Sequence, residues 1–569
     1  MFAVRRKFET FDNELPMKNH TFRISDLIIL SALTIFATLQ PYYLHHEIIM
    51  METGIHLPAI NALFHGQVPY RDFFFLRGPL ELYVPFWAMA FLGPNSAILP
   101  AFYYAGTVIT FLLCVLIAGN LYRTRLILYL MIPVLIARTF PRISYYYWGG
   151  MRYAIGFLAL WLGLLFFKTG RRRWIFLAGA ASCLALLTSI ESGACTVPAF
   201  AAAFVFAYFF KIQDRQTILK SAGIYLCGFF FVLLPYLGYL IATDSLVPLL
   251  QSMFVVVRFN HVAYPGVPGV KPETILDFMT AFYPGSRYFK YMTPAFCFMF
   301  FAGYLVWQIK KKRANSLHAF CFGLMVYGLV LYAAAFRKIE GHHFEMALQA
   351  EKFLLFFLFE EIYLYFKGLK AGLVRPQINF WGNVMVIVFI TSSLGYAYQR
   401  FDHRFASFKF IKKEIFHQKV RGLSLLENEE TETLQMERIN GMTVPRWQAE
   451  EIKGVVQFLK ENSGPQDFIF SYPEVGNFNF YADRPFVGRF PITTFTWMYE
   501  PWHRELVMDF KRIKPKYVVM TNPGHRTFPA EWYFRNPRNR DFFNELTELI
   551  LVNYKLKKTY DSVSIYELK

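Results

Sequence analysis

Apolar positions along this chain gather into long blocks instead of the short alternations of a soluble domain. From Asp26 to about Tyr398 the blocks run to about 15–25 residues, the length a helix needs to cross a bilayer core. They predict spans at 24–43, 98–120, 126–140, 153–168, 174–188, 195–210, 221–242, 293–309, 317–335, 352–366 and 380–398. The apolar stretch Pro79–Gly93 is shorter and carries Glu81 and Pro85, which reads as a membrane-surface or re-entrant helix. Beyond about Arg400 the pattern changes. Gln448–Asn462 has helical spacing, Asp467–Ser471 and Tyr517–Thr521 read as short buried strands, a helix is expected at about 501–513, and Tyr554–Leu568 alternates like a hairpin. The expected fold class is a mainly α polytopic membrane protein of about 11–13 spans with a small C-terminal α/β extracytoplasmic domain. Its divisions are 1–23 (a cytoplasmic segment), 24–398 (the membrane region, with an outer loop at 44–97) and 399–569 (the soluble domain).

Charge gives the blocks a direction. With the basic N-terminus inside, parity places Arg123/Arg125, Lys168 with Arg171–Arg173, Lys211/Arg215/Lys220, Lys310–Arg313 and Lys367/Lys370/Arg375 inside as well, in accord with the positive-inside rule. Counting Pro79–Gly93 as a full span would invert every later loop. The outer side then collects 44–97, 141–152, 189–194, 243–292 and 336–351, and the soluble domain with them.

Composition agrees: 55% hydrophobic and only 17% charged residues, against about 25% charged in a typical soluble domain. The formal charge of +19 would suggest nucleic acid in a soluble protein, but the basic residues sit in short loops between spans, so no nucleic-acid partner is expected. The six cysteines lie in or beside apolar blocks without metal-site spacing, which argues against a disulfide framework or a zinc site. The polar residues after Arg5-Arg6-Lys7 do not resemble a cleaved signal peptide.

The first outer loop carries the chemistry. It holds His45-His46-Glu47, then Glu52-Thr53-Gly54, a helical stretch, Gly66–Phe73 with Pro69-Tyr70-Arg71-Asp72, and Arg77-Gly78-Pro79-Leu80. Gly66 with Pro69, and Gly78-Pro79, mark two turns. A carboxylate beside hydrocarbon is costly, which makes Glu52 a functional candidate; the bland alternative is that it snorkels to water or pairs with Arg77. This loop resembles the first periplasmic loop of the GT-C superfamily of membrane glycosyltransferases, in the bacterial branch similar to protein mannosyltransferases and aminoarabinose transferases (family-39-like). Members commonly carry an acidic residue and a Gly, then Gly-x-x-Pro-Tyr-Arg-Asp-Phe, then a basic residue with Gly-Pro-Leu, in the order and spacing found here. The family usually has Asp, often Asp-Glu, where this chain has Glu52-Thr53, so one carboxylate is kept and the second is lost.

The resemblance implies inverting transfer of a sugar from a polyprenyl-phosphate donor to a lipid, polysaccharide or protein acceptor at the outer face. The departing phosphate is a good leaving group, so such a site needs a base for the acceptor hydroxyl and cations for the phosphate. Glu52 is then the expected catalytic base, and Asp72, Arg77, Arg152, Glu191, Arg337, His342 and His343 the expected substrate-binding residues. Arg337 and His343 are the foremost phosphate contacts, though Arg337–His343 also reads as a solvated loop. Arg152 reads equally as a snorkelling interfacial arginine, and Glu191 as a turn residue or the partner of Arg152. The adjacent His45 and His46 lack the spacing that puts two ligands on one helix face; no metal site is assigned, and a divalent cofactor stays open because GT-C enzymes occur with and without one. The turns and aromatics of 243–292 suit a lid. The C-terminal domain lacks a Gly-rich phosphate loop, and Asp483–Arg489 follows its first strand, where open α/β sheets often bind ligands. Partners are thus a lipid-linked donor, membrane lipids and an unidentified acceptor. Two other functions remain in view: a carrier of lipid-linked saccharides, and a non-catalytic saccharide-binding relative.

Overall fold

A computed structural model of the chain describes residues 23–38, 47–131, 146–264, 274–281, 288–338, 349–370, 430–522, 524–525, 528 and 530–569. The membrane region is helical: α1 (Ile24–Thr38), α2 (Met50–Phe64), α3 (Pro79–Leu92), α4 (Ile98–Leu121), α5 (Tyr146–Thr169), α6 (Arg172–Thr188), α7 (Ile190–Phe209), α8 (Arg215–Ala242), α9 (Leu246–Ala263), α10 (Ile275–Thr280), α11 (Phe289–Lys310), α12 (Ser316–Lys338) and α13 (Gln349–Lys370). Each expected span from 98–120 to 352–366 that falls in the described residues is helical; 132–140 and 380–398 lie outside them. Seven of the described helices contain a stretch long and apolar enough to cross a membrane, and α9 is one of them. Its contacts set it apart. Asn536 and Asn539 of the C-terminal region donate to the Val262 and Ala263 carbonyls (2.8 and 3.1 Å), and Phe259 stacks on Tyr499 at 5.4 Å. We therefore place α9 beside the C-terminal domain, within the segment 243–292 that the sequence reading set apart from the spans.

The C-terminal region contains a hairpin, β1 (Thr431–Met436) and β2 (Ile439–Pro445), then α14 (Arg446–Asn462), β3 (Ile469–Tyr472), α15 (Asn477–Ala482), a 3-10 turn at Thr493–Met498, α16 (Glu500–Ile513), β4 (Tyr517–Thr521), α17 (Ala530–Tyr533), α18 (Pro537–Asn553), β5 (Tyr554–Thr559) and β6 (Val563–Leu568). The four-stranded sheet has the order β3-β4-β6-β5, with β3 parallel to β4 and the other pairs antiparallel. β3 and β4 are short and fully buried, as helix-covered strands must be. The partly parallel sheet, its two buried strands and the terminal hairpin were all expected. The β1–β2 hairpin and α18 were not.

This region is seated on α2. Gln448 exchanges two hydrogen bonds with the backbone of Ile48 (2.8 and 3.1 Å), Asn477 donates to Thr53 Oγ1 (2.6 Å), and Arg438 donates to Asn61 Oδ1 (2.7 Å). Phe74 inserts its ring among Phe490, Phe495 and Trp502. One continuous hydrophobic core therefore runs from α2 and α3 into the sheet.

The bundle has two chemically different ends. α4 begins beside α2, where Tyr103 meets His56, and finishes near Tyr122, roughly 28 Å of helix rise away. At that far end Arg125 pairs with buried Asp26, Glu360 accepts from the backbone of Arg123 and Thr124 (2.8 and 2.7 Å), and Lys168 donates to the Asn120 carbonyl (2.7 Å). Arg123, Arg125 and Lys168 thus share one end, and the first-loop carboxylate and the C-terminal domain share the other.

Candidate active site

Glu52 lies in the first turn of α2 and is 2% exposed. His56, one turn later, lies on the same face and is fully buried. The turn after Arg77 brings a second carboxylate to this face. Pro79 opens α3 at its first turn, where a missing N–H costs nothing. Gly78 is required by packing, because a Cβ there would lie 2.3 Å from the Leu187 carbonyl at the end of α6. Arg77 Nη2 donates to Glu52 at 3.0 Å, and Nη1 to Glu81 at 3.4 Å. Glu81 Oε2 lies 3.9 Å from His56 Nε2, and Tyr103 OH is 2.7 Å from His56 Nδ1. One arginine thus holds two buried carboxylates, and an imidazole and a phenol complete the set.

The environment sorts the protonation states. Burial drives the His56 pKa down, against the pull of Glu81, so its ring is neutral at pH 7. Burial opposes ionisation of Glu81, but Arg77 and His56 outweigh it and hold its carboxyl below the usual range. Arg152, in the first half of α5, donates to Glu191 at 2.6 Å and interacts electrostatically with Arg77, Glu81 and Glu52. Its Nε is buried without a hydrogen-bond partner. The expected residues Glu52, Arg77, Arg152 and Glu191 therefore share one cluster.

Others fall elsewhere. Asp72 accepts from Val68 N (2.8 Å) and from Arg71 (2.8 Å), and so closes its own turn. Arg337 is in the last turn of α12. That helix runs antiparallel to α7, with Tyr327 OH 3.2 Å from Ser192 Oγ and Gly323 against Ala199, which brings its C-terminal end to the Glu191 end of the bundle. The Arg337 side chain, His342 and His343 lie outside the described residues, as do His45 and His46. Among the described residues no group of three His, Cys, Asp or Glu could hold a metal ion. Arg484 and Asp483, beyond β3, serve the architecture: Arg484 donates to the Ser463 carbonyl (2.6 Å), and Asp483 pairs with Arg438 (2.8 Å).

Sequence reasoning missed His56, Glu81, Tyr103 and Glu474. The first two had a signal, since each stands four residues from a recognised site residue. Glu474 comes from the C-terminal domain, in the turn after β3, and is 3% exposed. Its backbone carbonyl faces Gly54, where a Cβ would sit 3.5 Å away and 3.0 Å from Asn477 Oδ1. The Gly of Glu52-Thr53-Gly54 is thus the spot on which the domain rests.

A cavity of about 620 Å³ lies between the Tyr70–Arg71 turn, α9 and the C-terminal domain, and none of the cluster residues lines it. Arg489 and Trp502 line its far side, and Tyr70 connects it to the site by donating to the Arg77 carbonyl (3.2 Å). Both of its guanidinium groups are paired, Arg71 with Asp72 and Arg489 with Glu505 at 2.5 Å.

The whole arrangement is similar to that of ArnT from Cupriavidus metallidurans, solved bound to undecaprenyl phosphate. The likeness covers 95% of this chain and 97% of that one at 12% identity, with a TM-score of 0.52. The likeness is one of fold: a helical membrane bundle followed by a small C-terminal sheet domain. The oligosaccharyltransferase AglB from Archaeoglobus fulgidus, solved with an inhibitory peptide and a dolichol-phosphate, also matches, at 13% identity over 88% of this chain and 69% of that one with a TM-score of 0.45. No protein-family model and no curated protein sequence matches the chain.

Proposed function

We propose that this protein moves a sugar from a polyprenyl-phosphate-linked donor to an acceptor hydroxyl at the outer face of the membrane, with inversion. The observation that carries this reading is the Glu52–Arg77 pair, buried at the end of the bundle covered by the C-terminal domain and flanked by Arg152 with its unpartnered Nε. The acceptor oxygen attacks the anomeric carbon while the bond from that carbon to the phosphate oxygen breaks and its electron pair leaves with the phosphate. Glu52 takes the acceptor proton, and guanidinium groups stabilise the growing phosphate charge in a poorly hydrated place. Arg77 and Arg152 face three carboxylates here (Glu52, Glu81 and Glu191), so the donor phosphate needs further cations. Arg337, in the last turn of α12 at this end of the bundle, and His342 and His343, which follow it in sequence, are the residues to supply them. The cavity lined by Trp502 and Arg489 suits a neutral saccharide, since its cations are already paired and aromatic faces pack against sugar C–H groups. The accumulation of basic residues at the opposite end supports an outward orientation for the site.

The test uses the purified full-length protein in detergent, radiolabelled polyprenyl-phosphate sugars and a membrane extract as acceptor source. Label transferred to a product that is no longer lipid-phosphate-linked is the expected result. No transferred label in detergent, with unchanged lipid-linked label crossing the membrane when the same protein is reconstituted in vesicles, would establish the carrier instead.

A further inference from the structure

On α2, Thr53 follows Glu52 and spends its hydroxyl on the Ile49 carbonyl (3.0 Å) and on Asn477. Glu474 approaches the same place from the C-terminal domain. Its Oε1 accepts from Tyr533 OH and from Thr494 Oγ1 (3.3 Å), and Tyr533 OH lies 3.5 Å from Met51 Sδ, next to Glu52. Its Oε2 is buried and has no hydrogen-bond partner. A buried carboxyl oxygen left unmatched is expensive unless it carries or receives a proton. The groups facing it are Tyr533 and Thr494 of its own domain and Glu52 of α2, and Tyr264, just after α9, interacts with both carboxylates.

We propose that Glu474 is a further carboxyl of the transfer site, supplied by the C-terminal domain, and the final holder of the proton that Glu52 removes from the acceptor hydroxyl, a role that rests on the glycosyl-transfer reading. In the step above, the acceptor proton passes to Glu52 and ends on Glu474 Oε2. The direction follows from the neighbours. Protonating Glu52 strips Arg77 of a buried partner, whereas protonating Glu474 removes the repulsion between two carboxylates and satisfies an orphaned oxygen. Burial, reinforced by Glu52 and only partly offset by Tyr533 and Thr494, raises the Glu474 pKa to about 7, which suits a group that must both take up and release a proton near neutrality. The first loop and the C-terminal domain thereby each contribute one member of a pair sharing a proton.

Infrared difference spectroscopy of the full-length protein in detergent reads this without any substrate. A protonated-carboxyl band that titrates near pH 7 in the wild type, vanishes in Glu474→Gln and moves to lower pH in Glu52→Gln is expected. Absence of such a band, or a midpoint that Glu52→Gln leaves unmoved, overturns the pairing. In the transfer assay the wild-type rate should fall as pH drops through about 7, and Glu474→Gln should slow transfer at least tenfold and displace that limb by a unit or more. A wild type that transfers while Glu474→Gln keeps both rate and limb overturns the proton role alone. A wild type that transfers nothing from any donor overturns the glycosyl-transfer reading and the proton role with it, while the infrared titration still decides whether the two carboxyls interact.

Discussion

Both ends of the helical bundle bury carboxylates beside arginines, and they treat them differently. At the basic end every carboxylate oxygen of Asp26 and Glu360 has a partner. Asp26 receives Arg125, Tyr129 OH (3.0 Å) and the Arg23 N–H (3.1 Å), and Glu360 receives the N–H groups of Arg123 and Thr124. At the other end Arg152 Nε, Asn477 Oδ1 and Glu474 Oε2 are buried without partners. A folded protein normally satisfies buried carboxylates, so one with every oxygen engaged is architectural and one with a bare buried oxygen is a place for a ligand or a proton.

The sharpest challenge to that contrast is to remove one arginine from each end. Arg77→Ala leaves Glu52 and Glu81 buried without their cation and should cost about 3–5 kcal/mol, read as a large loss of thermal stability in detergent. Arg125→Ala should cost less, about 1–2 kcal/mol, because Asp26 keeps Tyr129 and the Arg23 N–H. Equal losses would erase the distinction.

Glu474 provides the next largest effect. Its pKa is raised in the folded protein from 4.5 to about 7, so its contribution to stability is complete below about pH 4.5 and is lost as pH rises through about 7. The wild type should therefore be less stable than Glu474→Gln at pH 8.5, by on the order of 3 kcal/mol, and match it at pH 4. Thermal unfolding at the two pH values checks this, and a wild type as stable as the variant at pH 8.5 contradicts it. Tyr103→Phe removes only the hydroxyl on His56 and should cost about 1 kcal/mol by the same measurement. Glu191→Gln should change stability by less than about 1 kcal/mol, since its side chain is 58% exposed, and its effect should appear in transfer instead.

Much of this was legible in the sequence because it depends on local pattern. Block length and loop charge predicted the helices from Ile98 onward, and two buried apolar runs predicted the parallel strands β3 and β4. The first-loop residues Glu52 and Arg77 were found together because the turn at Gly78-Pro79 is written locally. Glu474 was not, because its role depends on a contact across more than four hundred residues, made when the C-terminal domain settles on Gly54. The one clue was its place directly after a parallel strand, where the basic run Asp483–Arg489 drew attention instead. The helix α9 shows the opposite problem: its composition suits a membrane span, and only its contacts with Tyr499, Asn536 and Asn539 place it elsewhere. Asp72 closes its own turn, a local bond that its place in the first-loop motif did not reveal.

The account stands on the difference between two buried glutamates, and one transfer assay compares them directly. Glu52→Gln and Glu360→Gln would be purified side by side and given the same polyprenyl-phosphate sugar and acceptor extract. Glu52→Gln is predicted to lower the rate by about 10²–10⁴-fold, and Glu360→Gln to stay within a few-fold of wild type even if less stable. Transfer that survives Glu52→Gln, or falls equally in both variants, would contradict the assignment of the active site to the end covered by the C-terminal domain.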